Sequence, residues 1–209
     1  MIEVVATMGG KFMEKIVGTV FAVLMYLCFL AGGTEAGQIT SADVGNLYQR
    51  VISDKHLSSQ EGDVRVWKTH DDLPGWECLN FANWAFRELH GGTAGRRDGS
   101  SHNLIRDNGV RVVFRYPEKD KLEDLELALT NGRITPGDFI QWAKNSDGMS
   151  HHSAIFGEYD AVGKRIRIMD SNRSQIWNQL RYDWMPLKKF LWRCDRGVAF
   201  YTKERREKK

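Results

Sequence analysis

The chain has 209 residues, of which 42% are hydrophobic and 27% are charged, and its formal net charge at pH 7 is +3. This composition supports one packed core and excludes a disordered, collagenous or low-complexity protein. The run 203–209 alone holds five basic and two acidic residues, so the rest of the chain is nearly neutral and we expect no nucleic-acid partner.

The N-terminal segment has the layout of a secretory signal peptide. Residues 16–30 carry no charge, Lys11 and Lys15 precede them, and small side chains allow cleavage after Ala36. The same stretch approaches the length of about 20 apolar residues that crosses a membrane, so retention as an anchor is the alternative. In either case we expect residues 37–209 to lie outside the cytoplasm, as a secreted, periplasmic or cell-envelope protein, with a membrane partner only if the segment is retained.

Helical periodicity predicts two helices in the first half of the chain. The first lies in the N-terminal region 37–64, begins at the N-cap Ser41 and shows the i, i+3, i+4, i+7 spacing of a one-faced helix. The second covers residues 76–90 and follows a loop, so Cys78 falls in its first turn. The polar, glycine-rich stretch 92–109 is predicted to be a loop.

In the second half of the chain, apolar and polar residues alternate in several segments, which is typical of β-strands. The predicted strands cover residues 110–116, 138–142, 152–159, 165–170 and 198–202, with one helix through Leu122, Leu125 and Leu129. Strands that follow one another so closely favour an antiparallel sheet. We therefore predict an α+β fold in which N-terminal helices pack on an antiparallel sheet, with residues 65–202 as the main domain and 203–209 as a basic tail.

Cys78 is a candidate nucleophile because of its place at the head of a helix. Unpaired N–H groups and the helix dipole favour a thiolate there. A free cysteine is more often a small buried apolar residue, so the position alone leaves both interpretations open. The other cysteines are Cys28, in the N-terminal segment, and Cys194; three cysteines are too few for a disulfide framework.

A histidine and an acid follow Cys78 in the order that thiol catalysis requires. His152 begins a strand, and His151 points to the opposite face. On the next strand Asp170 and Asn172 share the parity of the isoleucines, which places either one at the rim of the sheet. A surface histidine and an ordinary turn are the commoner uses of such residues. A thiolate, an imidazole and a group that orients the ring would together perform acyl transfer.

Four segments in this order resemble the CHAP family, the cysteine- and histidine-dependent amidohydrolases/peptidases of the wider NlpC-type papain-like fold. They read ECLNFANWAF at 77–86, TPGDFIQW at 135–142, HSAIF at 152–156 and IMDSN at 168–172. The resemblance covers roughly residues 65–202. It implies that Cys78 is the nucleophile, that His152 exchanges protons, and that Asp170 or Asn172 orients the ring.

The resemblance further implies an exported cysteine amidase or peptidase that hydrolyses amide bonds, in peptidoglycan peptides or another peptide substrate, through a thioester and without a cofactor. A secreted cell-wall-binding domain that keeps the scaffold without the chemistry is a second interpretation, since exposed members of the seven tryptophans would stack on sugars. A third makes Cys78, His152 and Asp170 zinc ligands, although no CxxC or HExxH pair accompanies them.

Overall fold

The computed structural model describes residues 38–75, 77–99, 102–143, 151–172 and 177–204. The described residues from Ile39 onward belong to one compact unit. The predicted signal peptide or anchor, Trp76, the loop before His151 and most of the predicted basic tail lie outside the described residues. Within the described ranges, no helix is both long enough and apolar enough to span a membrane.

The described chain combines four α-helices with ten strands, which confirms the predicted α+β class. In chain order the elements are α1 (Ser41–Ser53), β1 (Ser58–Glu61), β2 (Val64–Trp67), α2 (Glu77–His90), β3 (Gly95–Arg97), β4 (Leu104–Arg106), β5 (Val110–Tyr116), a 3₁₀ turn (Leu122–Asp124), α3 (Leu125–Thr130), β6 (Phe139–Trp142), β7 (His152–Asp160), β8 (Arg165–Ser171), β9 (Leu180–Pro186), α4 (Leu187–Arg193) and β10 (Val198–Lys203).

One six-stranded antiparallel sheet organises the molecule, with strand order β5-β10-β6-β7-β8-β9. Strands β6 to β9 form the meander that their close spacing favours. Strand β10 returns from the end of the chain and pairs with both β5 and β6. Two small antiparallel hairpins, β1-β2 and β3-β4, lie outside this sheet.

Helices cover both faces of the large sheet. Side chains alternate along each strand, so Phe139 and Ile155 pack with α1 and α2, whereas Ile140 and Phe156 pack with α3 and α4. The predicted packing of N-terminal helices on an antiparallel sheet is therefore confirmed. The second helical layer was not predicted, and it explains why β6 and most of β7 are buried on both sides.

Two boundary predictions need correction. The N-cap of α1 is Thr40, not Ser41: its Oγ1 accepts from the N–H of Asp43, and the Asp43 carboxylate accepts from the N–H of Thr40 at 2.8 Å. This reciprocal capping box outweighs the simpler preference for serine. The helix predicted through Leu122 and Leu129 begins as a 3₁₀ turn before α3.

The prediction of a loop over 92–109 is wrong, because this stretch contains the hairpin β3-β4. Strands of three residues are too short to show an alternating pattern, and they form here through contacts with α2. The side chain of Asn83 accepts from the N–H groups of Ala94 and Gly95 at 2.9 and 3.2 Å and donates to the carbonyl of Gly95 at 2.9 Å. A helix residue thus fixes the start of β3.

Candidate active site

The loop that leads into α2 is held by one buried amide. Asn80 accepts from Trp67 Nε1 at 3.1 Å and from the N–H of His70 at 3.0 Å. It donates to the carbonyls of His70 and Gly75 at 2.8 and 3.3 Å. A fully satisfied buried amide gives the loop a single conformation. The first turn of α2, with Cys78 as its second residue, is therefore fixed relative to the core.

The Cys78 thiol lies among groups that favour its ionised form. Arg97 Nη2 lies 3.9 Å from Sγ, and the carbonyl oxygen of His151 lies 4.0 Å from it. Burial opposes ionisation, but the charge and hydrogen bond of His152, the N–H of Ser153 and the charge of Arg97 outweigh it. These contacts lower the pKa of Cys78 below the ordinary thiol value.

His152 connects the thiol to a buried carboxylate. In the β7-β8 ladder Ala154 is opposite Asp170, so His152, two residues earlier, lies on the same face and reaches Asp170 diagonally. His152 Nε2 and Asp170 Oδ2 are 2.9 Å apart. Since Asp170 engages Nε2, Nδ1 is the ring nitrogen left for an interaction with the Cys78 thiol. The Trp142 ring packs against the imidazole at a centroid distance of 4.7 Å.

The histidine favours the protonated form. Burial lowers the pKa of His152, but the charge of Cys78 and hydrogen bonds with Asp170 and Cys78 overcome this effect and raise the pKa to about 9. The raised pKa of His152 and the lowered pKa of Cys78 share one cause, the attraction between imidazolium and thiolate. Both shifts favour the thiolate and the imidazolium, the reactive form of a thiol nucleophile.

A second buried amide supports the start of β7. Gln141 is fully buried on β6 and lies opposite Ser153. Its Nε2 donates to the carbonyls of His152 and Trp142, both at 3.0 Å, and its Oε1 accepts from Ser153 Oγ at 2.6 Å. These bonds anchor the backbone on both sides of the imidazole, so the ring has a defined position toward the thiol.

The thiol opens onto a cavity of about 570 Å³. Arg96, Arg97, Asn172 and Trp177 also line it. Cys78 and His152 are only 5% and 6% exposed, whereas Trp177 is 65% exposed. Both side chains are therefore shielded from bulk water, and a substrate in the cavity would reach the sulfur at its wall.

Asn172 does not occupy the orienting position. Its Nδ2 donates to a carboxylate oxygen of Glu77, and its Oδ1 accepts from the N–H of Asn178 at 3.3 Å. Glu77 and Asn172 both have positive φ, 49° and 62°, a conformation that costs roughly 1–2 kcal/mol for a residue other than glycine. Of the two predicted orienting residues, the structure brings Asp170 to the His152 ring and places Asn172 on the wall of the cavity.

The zinc interpretation finds no support in this geometry. Among the residues that the structure describes, no three histidine, cysteine or acidic side chains converge as metal ligands do. The two nitrogens of His152 serve different neighbours, with Nε2 toward Asp170. Cys78, His152 and Asp170 thus form a chain of contacts and not a cluster around one point.

Sequence reasoning did not single out Arg97, Asn80 or Asn83. Arg97 falls in the stretch predicted as a loop, where nothing in the local pattern points toward Cys78. The two asparagines did leave a signal. They stand three residues apart in an otherwise apolar part of α2, where a buried polar group needs a hydrogen-bonding partner.

Comparison with known protein families, with curated proteins and with solved structures gave no match. The geometry around Cys78 is therefore the source from which a function is inferred. Its distinctive features are the contact chain through His152 to Asp170, the arginine beside the sulfur and the open cavity.

Proposed function

We propose that the protein is a cysteine hydrolase that cleaves amide bonds, as an amidase or peptidase. Cys78 is the nucleophile, His152 transfers protons and Asp170 orients the imidazole. The observation that carries the proposal is the His152–Asp170 pair, 2.9 Å apart, whose imidazole raises the acidity of the Cys78 thiol on the wall of an open cavity. The same three roles define nucleophilic acyl transfer on unrelated folds.

The reaction proceeds in two stages. The Cys78 thiolate attacks the amide carbon, and the tetrahedral intermediate collapses to a thioester while the His152 imidazolium gives its proton to the departing amine. His152, now neutral, removes a proton from water, which attacks the thioester, and the carboxylic acid leaves as the thiolate and the imidazolium are restored. The backbone N–H of Cys78 is the proposed donor to the oxyanion, a contact that contributes about 3 kcal/mol in comparable sites.

The proposed fold assignment is the papain-like NlpC/CHAP type. It is supported by a cysteine at the head of α2 and by a histidine and an acid on the neighbouring antiparallel strands β7 and β8. The proposed substrate is a peptide of the bacterial cell wall, reached after export through the segment 1–36. An enzyme of the cell envelope that cuts peptidoglycan stem peptides or cross-bridges would use this chemistry and would need an export segment such as 1–36.

A secreted cell-wall-binding domain without catalysis is the alternative. Trp177 favours it, because this side chain is 65% exposed at the cavity and presents a flat surface to a sugar or an apolar group. A binding domain requires no thiolate. The state of Cys78 therefore separates the two functions.

The test is digestion of purified peptidoglycan by the full chain, with mass spectrometry of the released fragments. We expect fragments that gain one water for each cleaved amide bond and carry a new amine and a new carboxyl group. Cys78→Ala should release none, whereas Cys194→Ala, which removes the other described thiol, should release the same fragments as the wild type.

Equal fragment release by Cys78→Ala and the wild type would exclude the thiol mechanism. Retention of the wild-type protein on peptidoglycan, without any released fragment and with an unreactive Cys78, would establish the binding function instead. Masses of the cleaved ends also identify the scissile bond, since an amidase and an endopeptidase leave different termini.

A further inference from the structure

Two arginines line the cavity beside Cys78. Arg96 and Arg97, consecutive residues of β3, both line it, together with Glu77 and His151. The Glu77 carboxylate is engaged by the Asn172 amide. No residue in the described ranges forms an ion pair with Arg96. Of the charged groups that line the cavity in the described ranges, Arg97 contacts the Cys78 sulfur and Glu77 is engaged by Asn172, so Arg96 is the one left without an ionic partner there.

The two guanidinium groups are held at a defined place relative to the nucleophile. Asn83, on the helix that carries Cys78, makes three hydrogen bonds with the backbone of Ala94 and Gly95, at the start of β3. Gly95 has φ 136°, and a Cβ there would lie 2.3 Å from the carbonyl oxygen of Ile105. Only glycine permits this close approach of β3 to β4, so the arginine pair is built into the fold and not carried on a free loop.

The arginines differ in their relation to the thiol. Arg97 is half-buried, with Nη2 3.9 Å from Cys78 Sγ, and supports the thiolate. Arg96 is exposed and lines the same cavity without a described ionic partner. A guanidinium group presents a planar set of donors that matches a carboxylate. Arg96 thus offers charge-assisted hydrogen bonds that the protein itself does not use within the described ranges.

We propose that Arg96, assisted by Arg97, forms a carboxylate-binding subsite, and that the preferred substrate is an acidic peptide. This inference rests on the proposed function and narrows its substrate class. One peptide residue spans about 3.3–3.6 Å, and Arg97 already touches the sulfur. Since Arg96 is next to Arg97 on β3, the bound carboxylate belongs to a residue near the scissile amide.

The charge of the cavity is measured with two alkylating reagents that differ in charge, iodoacetate and iodoacetamide. The ratio of their rates at Cys78 reports the local potential, whereas the iodoacetamide rate against pH reports the thiolate. We expect Arg96→Gln to lower the iodoacetate-to-iodoacetamide ratio about two- to fivefold, the size of one exposed charge interaction. Arg106→Gln is the matched control, since it removes the same charge from β4, outside the cavity.

The iodoacetate-to-iodoacetamide ratio tests the subsite, and the thiolate titration tests the catalytic proposal. The two proposals can therefore fail separately. An equal ratio in the wild type, Arg96→Gln and Arg106→Gln overturns the subsite, whatever the thiol pKa. An ordinary thiol titration with a ratio that still depends on Arg96 refutes the catalytic proposal and leaves the subsite standing.

The second arm uses a soluble peptide that contains the amide bond cleaved most rapidly in peptidoglycan, and the same peptide with its neighbouring carboxyl converted to a carboxamide. We expect the carboxamide to bind more weakly in the wild type, through a higher KM with a smaller change in kcat. Arg96→Gln should abolish this preference. Equal KM values for the two peptides in the wild type would contradict the proposal, and inhibition by inorganic phosphate with no such preference would identify a phosphate site instead.

Discussion

The two cysteines of the described chain share burial but differ in electrostatic surroundings. Both are free, with Cys78 5% exposed and Cys194 fully buried. Cys78 lies in the first turn of α2, whereas Cys194 follows the last residue of α4, where the carbonyl ends of a helix oppose a negative charge. Cys78 is thus at the positive end of a helix dipole and Cys194 at the negative end of one.

Their neighbours reinforce this difference. Burial and the charge of Asp195 raise the pKa of Cys194 well above the ordinary value, and Arg193 only partly offsets them. At Cys78, burial acts in the same direction but is outweighed by His152, the Ser153 N–H and Arg97. Burial alone therefore does not decide the reactivity of a thiol; the partner groups do.

The largest expected contrast is in reaction with a neutral alkylating reagent. At neutral pH we expect iodoacetamide to label Cys78 about 10³-fold faster than Cys194, because the pKa of the first thiol is lowered and the thiol lines a cavity, whereas the pKa of the second is raised and the thiol is sealed in the core. Peptide mapping of the labelled sites against time measures both rates. Comparable labelling rates of Cys78 and Cys194 in the folded protein would show that the two thiols do not differ in reactivity.

The next largest difference should be in turnover of the peptide substrate, when the carboxylate near each cysteine is replaced by an amide. Asp170→Asn should lower the turnover of the peptide substrate about 10²-fold or more, because the imidazolium loses its charged partner and its orientation. Asp195→Asn removes the carboxylate beside Cys194 and should leave turnover near the wild-type value. If both variants retain full turnover, Asp170 has no role in orienting His152.

Removal of one arginine at each cysteine should have a smaller effect. Arg97→Gln takes away a cation that lowers the pKa of Cys78, so the pKa rises and labelling at neutral pH slows about three- to tenfold. Arg193→Gln should further raise the pKa of Cys194 and leave Cys78 unaffected. The rate of iodoacetamide labelling of Cys78 against pH measures the first shift and the absence of an effect of Arg193→Gln on Cys78, and a lowered midpoint for Arg97→Gln would show that the sign is wrong.

The smallest change in the labelling rate of Cys78 should come from Asn83→Ala. This change leaves the N–H groups of Ala94 and Gly95 without an acceptor and should lower the free energy of unfolding by about 1–3 kcal/mol. Cys194, which becomes accessible through unfolding, should then be labelled faster, while Cys78 changes less than in Arg97→Gln. Asn46→Ala, an exposed position of α1, is the control and should alter unfolding by less than about 0.5 kcal/mol.

The elements that could be predicted from the sequence are those with a local pattern. Helix α2 and strands β6 to β8 carry clear periodicity, and their structural bounds lie within one or two residues of the predicted ones. The hairpin β3-β4 has no such pattern, because its strands are short and depend on Asn83 of α2. The insertion of β10 between β5 and β6 is a non-local pairing that periodicity does not encode.

The residues of the candidate site also divide into those with a local sequence signal and those without one. Cys78, His152 and Asp170 could be proposed because helix position, strand parity and their order along the chain are local properties, and the structure brings the three together. The choice of Asp170 over Asn172 required the β7-β8 register. Arg97 could not be predicted, since its contact with the thiol arises only when β3 packs on α2.

Hydrolysis should also depend on pH in a definite direction. The pKa of His152 is raised to about 9, so the imidazolium that protonates the leaving amine is present below this pH and is lost as pH rises through it. On the acidic side, activity should fall where Cys78 gains a proton, below the ordinary thiol value. A pH profile of the peptide turnover in the wild type and in Arg97→Gln measures both limbs, and the variant should move only the acidic one.

Titration of the ultraviolet thiolate absorbance of Cys78 tests the central claim most directly. The difference between the wild type and Cys78→Ala isolates this sulfur, and Cys194→Ala serves as the reference. We predict a thiolate at neutral pH with a midpoint below that of an ordinary thiol, shifted upward in His152→Ala. A midpoint at or above the ordinary thiol value, unchanged in His152→Ala, would contradict the thiolate–imidazolium pair.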